Sequence, residues 1–431
     1  MKNLKPGDTI EVTTKDEKIK GILMPRPELL DKDTIVVKLS NGYNIGINKN
    51  KIKSIKVVEK YTEKKDVKTK IKINKNLPTI SILHTGGTIA SKVDYRTGGV
   101  FASFSVEDFL IMFPEIEKIA NIRSNMIYNI MSEDMRFMHY KQIAKSILKE
   151  IEHGVDGIII GHGTDTIALT AAALSFVFEN LHIPVILVGA QRSSDRGSTD
   201  AAMNLICAAE FISKTDFKGV AMCMHEKMDD ENCLILPPTK TRKMHTSRRD
   251  AFKVVDDKPI ARINYKQKKI DFLKEYKKKD SKKLIVKDKF EDKVAIIKTY
   301  PNMFPDLVKA LTTKKYKGIV LEATGIGQAP TNIKENMPNY TALKKFIDSG
   351  GIIVLTSQCI YGRVHPNVYT NCRRLADIGV IFGEDMLTET AFIKLAWLLG
   401  NYKNKEEIKK LIVTNLRGEI NPRIEPSEYL E

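Results

Sequence analysis

The chain has 431 residues, which is long enough for roughly three domains of about 150 residues each. Its hydrophobic content of 42% is ordinary for a globular protein, and no apolar run reaches the roughly 18 residues of a membrane helix. The five cysteines include no Cys-x-x-Cys pair, no Cys/His cluster has zinc-ligand spacing, and MKNLKPGDTIEV lacks the apolar core of a secretory signal. We therefore expect reduced thiols, a cytoplasmic location, no membrane contact and no metal site in this chain.

The formal net charge is +17, and about half of the excess lies near the N-terminus. Residues 1–76 hold 19 lysines and arginines against 10 acidic residues. This positive excess has two equally good explanations: a lysine-rich surface that faces water, or a surface that faces a polyanion such as nucleic acid.

Residues 1–57 read as a small all-β domain. Short strands such as DTIEVTT, KIKGILM and TIVVKLS are separated by turn signals that include Pro6-Gly7 and Asn41-Gly42. This pattern is typical of an SH3-like or Tudor-like barrel, which is usually a binding module. Residues 58–76 are charged and without periodicity, which indicates a basic linker.

The remaining chain predicts two α/β lobes. Buried strands such as TISILH, GIIIGH and IPVILVGA alternate with helical segments, which include VEDFLIMFPEI and HYKQIAKSILKEIEHG. Strands that are apolar on both faces indicate a parallel sheet, here over residues 77–257. The Lys-rich residues 258–292 are predicted as a connection, and residues 293–431 as a smaller C-terminal lobe. Ligands should bind at the loops that follow the carboxyl ends of the strands.

Three such loops stand out in the first lobe: HTGGTIAS, GHGTDT and VGAQRSSDRGSTD. None contains the lysine of a phosphate-binding loop or three spaced glycines, so nucleotide binding by this chain is unsupported. Taken alone, Thr88 would be a turn residue, and Thr164 with Asp165 would cap a helix. Together, at strand ends of one sheet, they favour a nucleophilic threonine with a base nearby.

The segments ILHTGGTIAS and GHGTDTIALTAAAL together resemble the two signature segments of the asparaginase/glutaminase superfamily. The resemblance covers about residues 78–431 and implies a two-lobed, asparaginase-like parallel-sheet core behind the small barrel. The barrel and the stretch TRKMHTSRRDAF resemble one branch of that superfamily, the D-type subunits of the archaeal glutamyl-tRNA(Gln) amidotransferases.

This resemblance implies a catalytic set. Thr88 matches the primary nucleophile, and Thr164 and Asp165 match the second threonine and its acid. Lys243 lies nine residues before Phe252, which is the spacing of the family's lysine. A lysine can act as a general base only after losing its proton, which burial or neighbouring cations favour.

The resemblance also implies substrate contacts. Tyr95 matches the loop tyrosine that assists the first threonine, and NIMSEDM places Ser132 and Glu133 where the substrate carboxylate and amine bind. Lys240 and Lys258 are nearby lysines without the family spacing. The loop EATGIGQAPTN of the second lobe corresponds to one that reaches into the active site of a neighbouring copy.

The activity implied is hydrolysis of glutamine through a threonine acyl-enzyme, with asparagine also possible as amide donor. The ammonia would serve conversion of Glu-tRNA(Gln) to Gln-tRNA(Gln). A partner, the E-type subunit of the amidotransferase, would supply ATP and Mg²⁺ chemistry and most tRNA contacts, so this chain would need no cofactor. We expect a homodimer within a heterotetramer. A free-standing L-asparaginase with an accessory barrel is the enzymatic alternative, and an RNA-binding scaffold is the non-catalytic one; the intact catalytic set argues against the scaffold.

Overall fold

The computed structural model describes residues 4–25, 33–40, 43–60, 73–86, 91–93, 100–102, 113–192 and 199–429. The predicted nucleophile Thr88, the predicted loop residue Tyr95 and most of the predicted helix VEDFLIMFPEI lie outside these residues.

The strands, in chain order, are β1 (Thr9–Thr14), β2 (Lys18–Met24), β3 (Thr34–Lys38), β4 (Asn44–Asn48), β5 (Ile52–Glu59), β6 (Thr79–His84), β7 (Ser91–Val93), β8 (Val100–Ala102), β9 (Asn121–Met126), β10 (Gly157–Gly161), β11 (Phe178–Glu179), β12 (Pro184–Val188), β13 (Gly219–His225), β14 (Asn232–Leu236), β15 (Thr241–Lys243), β16 (Phe252–Val254), β17 (Ala261–Asn264), β18 (Ile270–Phe272), β19 (Ile285–Val286), β20 (Val294–Lys298), β21 (Gly318–Ala323), β22 (Ile352–Ser357) and β23 (Ile381–Phe382). The α-helices are α1 (Phe137–Glu152), α2 (Ile167–Val177), α3 (Ala201–Lys214), α4 (Asp306–Thr313), α5 (Met337–Asp348), α6 (Thr370–Asp377), α7 (Thr388–Asn401) and α8 (Lys405–Ile412). Across the described ranges, none of these helices combines the length and the apolar character that a membrane crossing requires.

The N-terminal strands form one antiparallel sheet in the order β4-β3-β2-β1-β5. Alternate side chains of β1, Ile10 and Val12, are fully buried and pack with Val37 of β3 in a small core. Alternation of this kind is expected of a strand with one face on a core and the other in water. The structure thus confirms the predicted all-β region.

The first lobe contains an eight-stranded sheet in the order β18-β17-β14-β13-β12-β10-β6-β9. Strands β9, β6, β10, β12 and β13 run parallel, as predicted, whereas β14, β17 and β18 extend the sheet antiparallel. The predicted connection 258–292 therefore also supplies the last two strands at one end of this sheet, β17 and the edge strand β18. Ala261 and Ile263 are buried in the core, although most residues around them are charged. In the sequence, the many lysines nearby make this short alternation of buried and exposed positions hard to recognise.

The second lobe is a parallel sheet in the order β20-β21-β22-β23, and helices α2 and α7 pack against each other between the two lobes. Nine of the eleven residues of α2 are buried. A helix that is apolar all round is stable only when it is enclosed on every side. The ring centroids of Phe176 in α2 and Trp397 in α7 are 5.5 Å apart. This contact helps to fix α2, which begins just after the GHGTDT loop.

A buried ion pair holds the C-terminal segment 412–419 against α7. Lys394 Nζ donates to two backbone carbonyl groups of this segment and, at 2.6 Å, to Glu419 Oε1. Both side chains are fully buried, and the Glu419 carboxylate also accepts two backbone N–H groups from the same segment. Every donor of the ammonium is therefore satisfied, as a buried charge requires.

Two buried histidines lie at the carboxyl edge of the first sheet. Burial lowers the pKa of His84 and of His162 to about 4 in each case. The Nδ1 atom of His162 lies 2.7 Å from the Gly163 carbonyl and Nε2 lies 2.8 Å from Thr170 Oγ1. A neutral ring satisfies both contacts when Nδ1–H donates and Nε2 accepts. The imidazole thereby fixes the backbone just before Thr164.

We expect Lys394→Met to lower the free energy of unfolding by about 3–5 kcal/mol, because the Glu419 carboxylate would remain buried without its cation. Adding Glu419→Gln to the same chain should restore part of the loss, since the uncompensated charge is then removed. Urea denaturation followed by circular dichroism measures both. A single-variant loss below about 1 kcal/mol would show that the pair contributes little.

Stability should fall as the pH drops from 6.5 towards 4. The unfolded histidines take up a proton near pH 6.5, whereas His84 and His162 stay neutral down to about pH 4, so protonation favours the unfolded chain in this window. The loss at pH 5 should be about 2 kcal/mol per histidine. His162→Gln should reduce the change in the free energy of unfolding between pH 7 and pH 5 by that amount. His182→Gln, at a partly exposed position, should not. Equal curves of unfolding free energy against pH for the two variants would refute this prediction.

Candidate active site

The three loops singled out in the sequence meet at the carboxyl edge of the first sheet. Strands β6, β10 and β12 are parallel neighbours, and the loops that follow them begin with Thr85, His162 and Gly189. Thr85 Oγ1 donates to the Gly161 carbonyl at 3.1 Å, which ties the end of the first loop to the second. The parallel topology therefore brings together residues that are 76 positions apart in sequence.

Thr164, Asp165 and Lys243 form a hydrogen-bonded set. The Nζ atom of Lys243 lies 2.9 Å from Thr164 Oγ1 and 2.7 Å from Asp165 Oδ1. The Lys243 side chain is 15% exposed, whereas that of Asp165 is 64% exposed. An ammonium can only donate, so the Thr164 hydroxyl accepts from it and directs its own hydrogen to Gln191 Oε1 at 3.2 Å.

Lys243 reaches this set from a short hairpin. It ends β15, which pairs antiparallel with β16, and its cross-strand partner is Phe252. Phe252 is 1% exposed and packs in the core of the first lobe. The spacing of nine residues that marked this lysine in the sequence is thus the register of a hairpin, in which the aromatic ring anchors the strand and the lysine projects to the site.

The two neighbouring lysines are placed differently. Lys240 is completely buried, and its Nζ contacts both the side chain and the backbone carbonyl of Asp385 in the second lobe at 2.7 Å. Lys258 is exposed. Neither is hydrogen-bonded to Thr164, so the geometry favours Lys243 as the lysine of the site.

Ser132 lies directly against the second loop. It is 3% exposed, and its carbonyl accepts a 2.6 Å hydrogen bond from Thr166 Oγ1. A Cβ atom on Gly163 would stand 2.7 Å from Ser132 Cβ, so only glycine permits this approach. Glu133 is exposed beside it. The structure therefore brings Ser132 to the loop of Thr164 and leaves the Glu133 carboxylate towards solvent.

The loop that leads to Thr88 is closely packed where it is described. Gly86 has a φ of +106°, and a Cβ there would stand 2.7 Å from the backbone nitrogen of Ile130. The conformation and the space both require glycine. This packing sets the direction in which the chain leaves β6, while Thr88 and Tyr95 lie outside the described residues.

Gln191 is a site residue that the sequence analysis did not identify. Its Oε1 accepts from Thr164, and its Nε2 is buried without a hydrogen-bond partner among the described residues. Asp200 accepts the backbone N–H of Gln191 at 3.0 Å and so fixes the start of this loop. Its position, three residues after the end of β12, could have indicated a role at the site. The sequence analysis identified the loop but singled out no residue within it.

The arrangement can move protons. When Lys243 is the neutral amine, the Thr164 hydroxyl can pass its proton to Nζ, and when it is the ammonium, its positive charge stabilises negative charge that develops on Thr164. Among the residues that the structure describes, no group of three or more His, Cys, Asp or Glu side chains could hold a metal ion.

Family profiles match three parts of the chain. They are described as "GatD N-terminal domain" for residues 4–58, "Asparaginase, N-terminal" for residues 79–278 and "Glutaminase/Asparaginase C-terminal domain" for residues 293–412. The predicted division at residues 57, 76, 257 and 292 stays a prediction.

Curated relatives match along the whole length. The D-type subunit of the glutamyl-tRNA(Gln) amidotransferase of Pyrococcus furiosus is 47% identical over 437 residues, which cover 100% of this chain and 98% of that protein. The protein of the same name from Methanococcus maripaludis strain C7 is 44% identical over 423 residues, or 97% of this chain and 98% of that one.

Solved asparaginases share the fold of the two lobes. The thermostable L-asparaginase from Thermococcus kodakarensis superposes with a TM-score of 0.72 at 29% identity, covering 80% of this chain and 100% of that one. L-asparaginase I from Vibrio cholerae gives 0.69 at 29% identity, with 80% and 99% covered. With an asparaginase-like core, an N-terminal match specific to one branch and full-length relatives of one name, this chain belongs to the family of D-type glutamyl-tRNA(Gln) amidotransferase subunits.

Proposed function

We propose that this chain is the glutaminase subunit of a tRNA-dependent amidotransferase, and that it releases ammonia from glutamine through a threonine acyl-enzyme. Ammonia would then convert Glu-tRNA(Gln) to Gln-tRNA(Gln). The observation that carries the proposal is the hydrogen-bonded set of Lys243, Thr164 and Asp165 at the sheet edge where the loop of Thr88 begins. Family membership supports the choice of substrate.

In the first step, the Thr88 hydroxyl attacks the side-chain amide carbon of glutamine. The new C–O bond forms first and moves negative charge onto the carbonyl oxygen. The amide nitrogen then takes up the hydroxyl proton, and the C–N bond breaks as the carbonyl re-forms and ammonia leaves. Backbone N–H groups of the surrounding loops would stabilise the oxyanion. Ser132, fixed through Thr166, would hold the α-carboxylate, and the exposed acids Asp165 and Glu133 would attract the α-ammonium.

In the second step, water attacks the ester carbonyl and releases glutamate, which restores the Thr88 hydroxyl. We assign Thr164 and Lys243 to this water. With Lys243 as the neutral amine, the threonine oxygen would take a proton from the water while its own hydroxyl proton passes to Nζ, and Gln191 would hold the hydroxyl in line. Tyr95 is assigned to assist the Thr88 hydroxyl.

The partner assignments follow from the same proposal. Activation of a glutamyl ester requires ATP and Mg²⁺, which the E-type subunit would supply together with most contacts to Glu-tRNA(Gln). The chain would act in the cytoplasm as a homodimer within a heterotetramer. The loop that carries Gln328 would then reach the active site of the neighbouring copy. The small N-terminal sheet and the basic residues around it are suited to a protein or tRNA surface.

A free-standing L-asparaginase is the second candidate, and the similarity of the two lobes to solved L-asparaginases is the observation that favours it. The N-terminal match to the GatD branch covers residues 4–58, and those asparaginases cover only 80% of this chain. This difference supports the amidotransferase component as the leading proposal.

Ammonia release tests the choice between the two. We expect the complex purified from its host to release ammonia from glutamine, with a higher rate when Glu-tRNA(Gln) is present, and Thr88→Val to abolish the release because it removes the attacking hydroxyl. The remote, exposed Thr341→Val serves as the matched control. High turnover of asparagine by the chain alone, unchanged by tRNA, would favour the asparaginase instead. Full activity of Thr88→Val would refute the acyl-enzyme at that residue.

The lysine assignment has its own test. Lys243→Met should lower kcat for glutamine by a factor of about 10²–10⁴, because Thr164 loses its partner for proton transfer. Lys258→Met removes an equal charge from an exposed position and should stay close to the unsubstituted chain. Steady-state kinetics with circular dichroism as the folding control measures both. Comparable losses in the two variants would mean that net charge, not the Lys243 contact, supports activity.

A further inference from the structure

A cavity of about 280 Å³ lies in the first lobe at the edge of the sheet opposite to Thr164. It is bordered by Gly219, where β13 begins, whereas the candidate active site lies where the parallel strands end. Its apolar wall includes Phe178, Leu181, Phe217 and Pro238. The volume suits a small ligand and not a polymer.

The polar wall of this cavity carries four cations and three acids. Lys218, Lys274, Lys277 and Arg417 all border it. Lys218 pairs with Asp280 and Lys274 with Asp257, whereas Arg417 lies 3.8 Å from Glu179. Each of these three cations thus lies near a carboxylate, and the acids Glu179, Asp257 and Glu275 themselves border the cavity.

Lys277 is the exception. No carboxylate of the described residues lies within ion-pair distance of its Nζ, and the residue is exposed at the cavity mouth. Partial desolvation, and then the positive charges of Arg417 and Lys218, lower the pKa of this ammonium. An anion placed between these groups would relieve their mutual repulsion.

Two lining residues of the cavity are connected to the segments that hold Thr164 and Lys243. Ser175, in the last turn of α2, accepts a 2.7 Å hydrogen bond from Arg417 Nε through its carbonyl, and the loop before α2 holds Thr164. Pro237 borders the cavity, and its carbonyl accepts a 2.6 Å bond from Thr241 in β15, the strand of Lys243.

We propose that this cavity binds a small organic anion, with a carboxylate or phosphate group at Lys277 and Arg417 and an apolar body against Phe178 and Pro238, and that its occupant acts on the Thr164–Lys243 pair through α2 and β15. The binding itself does not depend on the proposed glutaminase activity. The action on the pair requires only that a shift of Ser175 or Pro237 on binding is transmitted through α2 or β15 to Thr164 or Lys243.

Binding can be measured by isothermal titration calorimetry on the full-length chain, alone and in its complex. Benzoate and phenyl phosphate share an apolar body and differ in the anionic group, so they separate the two head groups. We expect one site per chain for at least one of them, and at least tenfold weaker binding in Lys277→Met. Lys279→Met removes a neighbouring charge that does not border the cavity and should stay within twofold. Lys277→Gln provides a second variant if Lys277→Met folds poorly.

The action on the active site can be followed by hydrogen exchange. Saturating ligand should change amide protection in residues 161–166 and 241–243 of the unsubstituted chain and not of Lys277→Met, whether or not the chain hydrolyses glutamine. Absence of binding up to 10 mM, a concentration on the order of weak metabolite binding, would overturn the proposal. So would binding that Lys277→Met leaves unchanged, or binding without any change in exchange at these two segments.

Discussion

The hydrogen bond between Lys243 and Thr164 joins residues 79 positions apart, and much of the fold can be understood as the means of making it. Thr164 is held from behind by a helix that is enclosed on all sides and by the neutral ring of His162. Lys243 is held by the core packing of Phe252 across a hairpin. The backbone on both sides of this hydrogen bond is thus held by buried neighbours. The contact between the two side chains therefore has a fixed geometry.

The segment 240–243 also connects the two lobes. Lys240 forms a fully buried ion pair with Asp385 of the second lobe, and three residues later Lys243 contacts Thr164 of the first. A buried pair of this kind contributes specificity of arrangement more than stability, because its desolvation offsets most of its Coulomb attraction. The position of Lys243 is therefore tied to how the second lobe sits on the first, although its contacts with Thr164 and Asp165 are both within the first lobe.

The sequence predicted the parts of this design that follow from periodicity. Parallel strands have their carboxyl ends at one edge, so the meeting of the Thr85 and Thr164 loops was predictable, and so was the all-β start of the chain. Gln191 was not, because its contact with Thr164 depends on how one loop turns after its strand. Strands β17 and β18 were missed because two buried residues stand among many charged ones, and a net charge pattern carries no information on register.

The hairpin that carries Lys243 has strands of three residues each, and so little of its stability is local. Its contacts with α2 and the sheet span long stretches of chain, and such non-local contacts form late because loop closure must precede them. The pairing of β6 with β10, which joins Ile80 to Gly157, is about as non-local as the contact of Lys243 with Thr164. The site should therefore form together with the parallel sheet, and recovery of activity on refolding should follow the slow tertiary contacts and not the early, local helices.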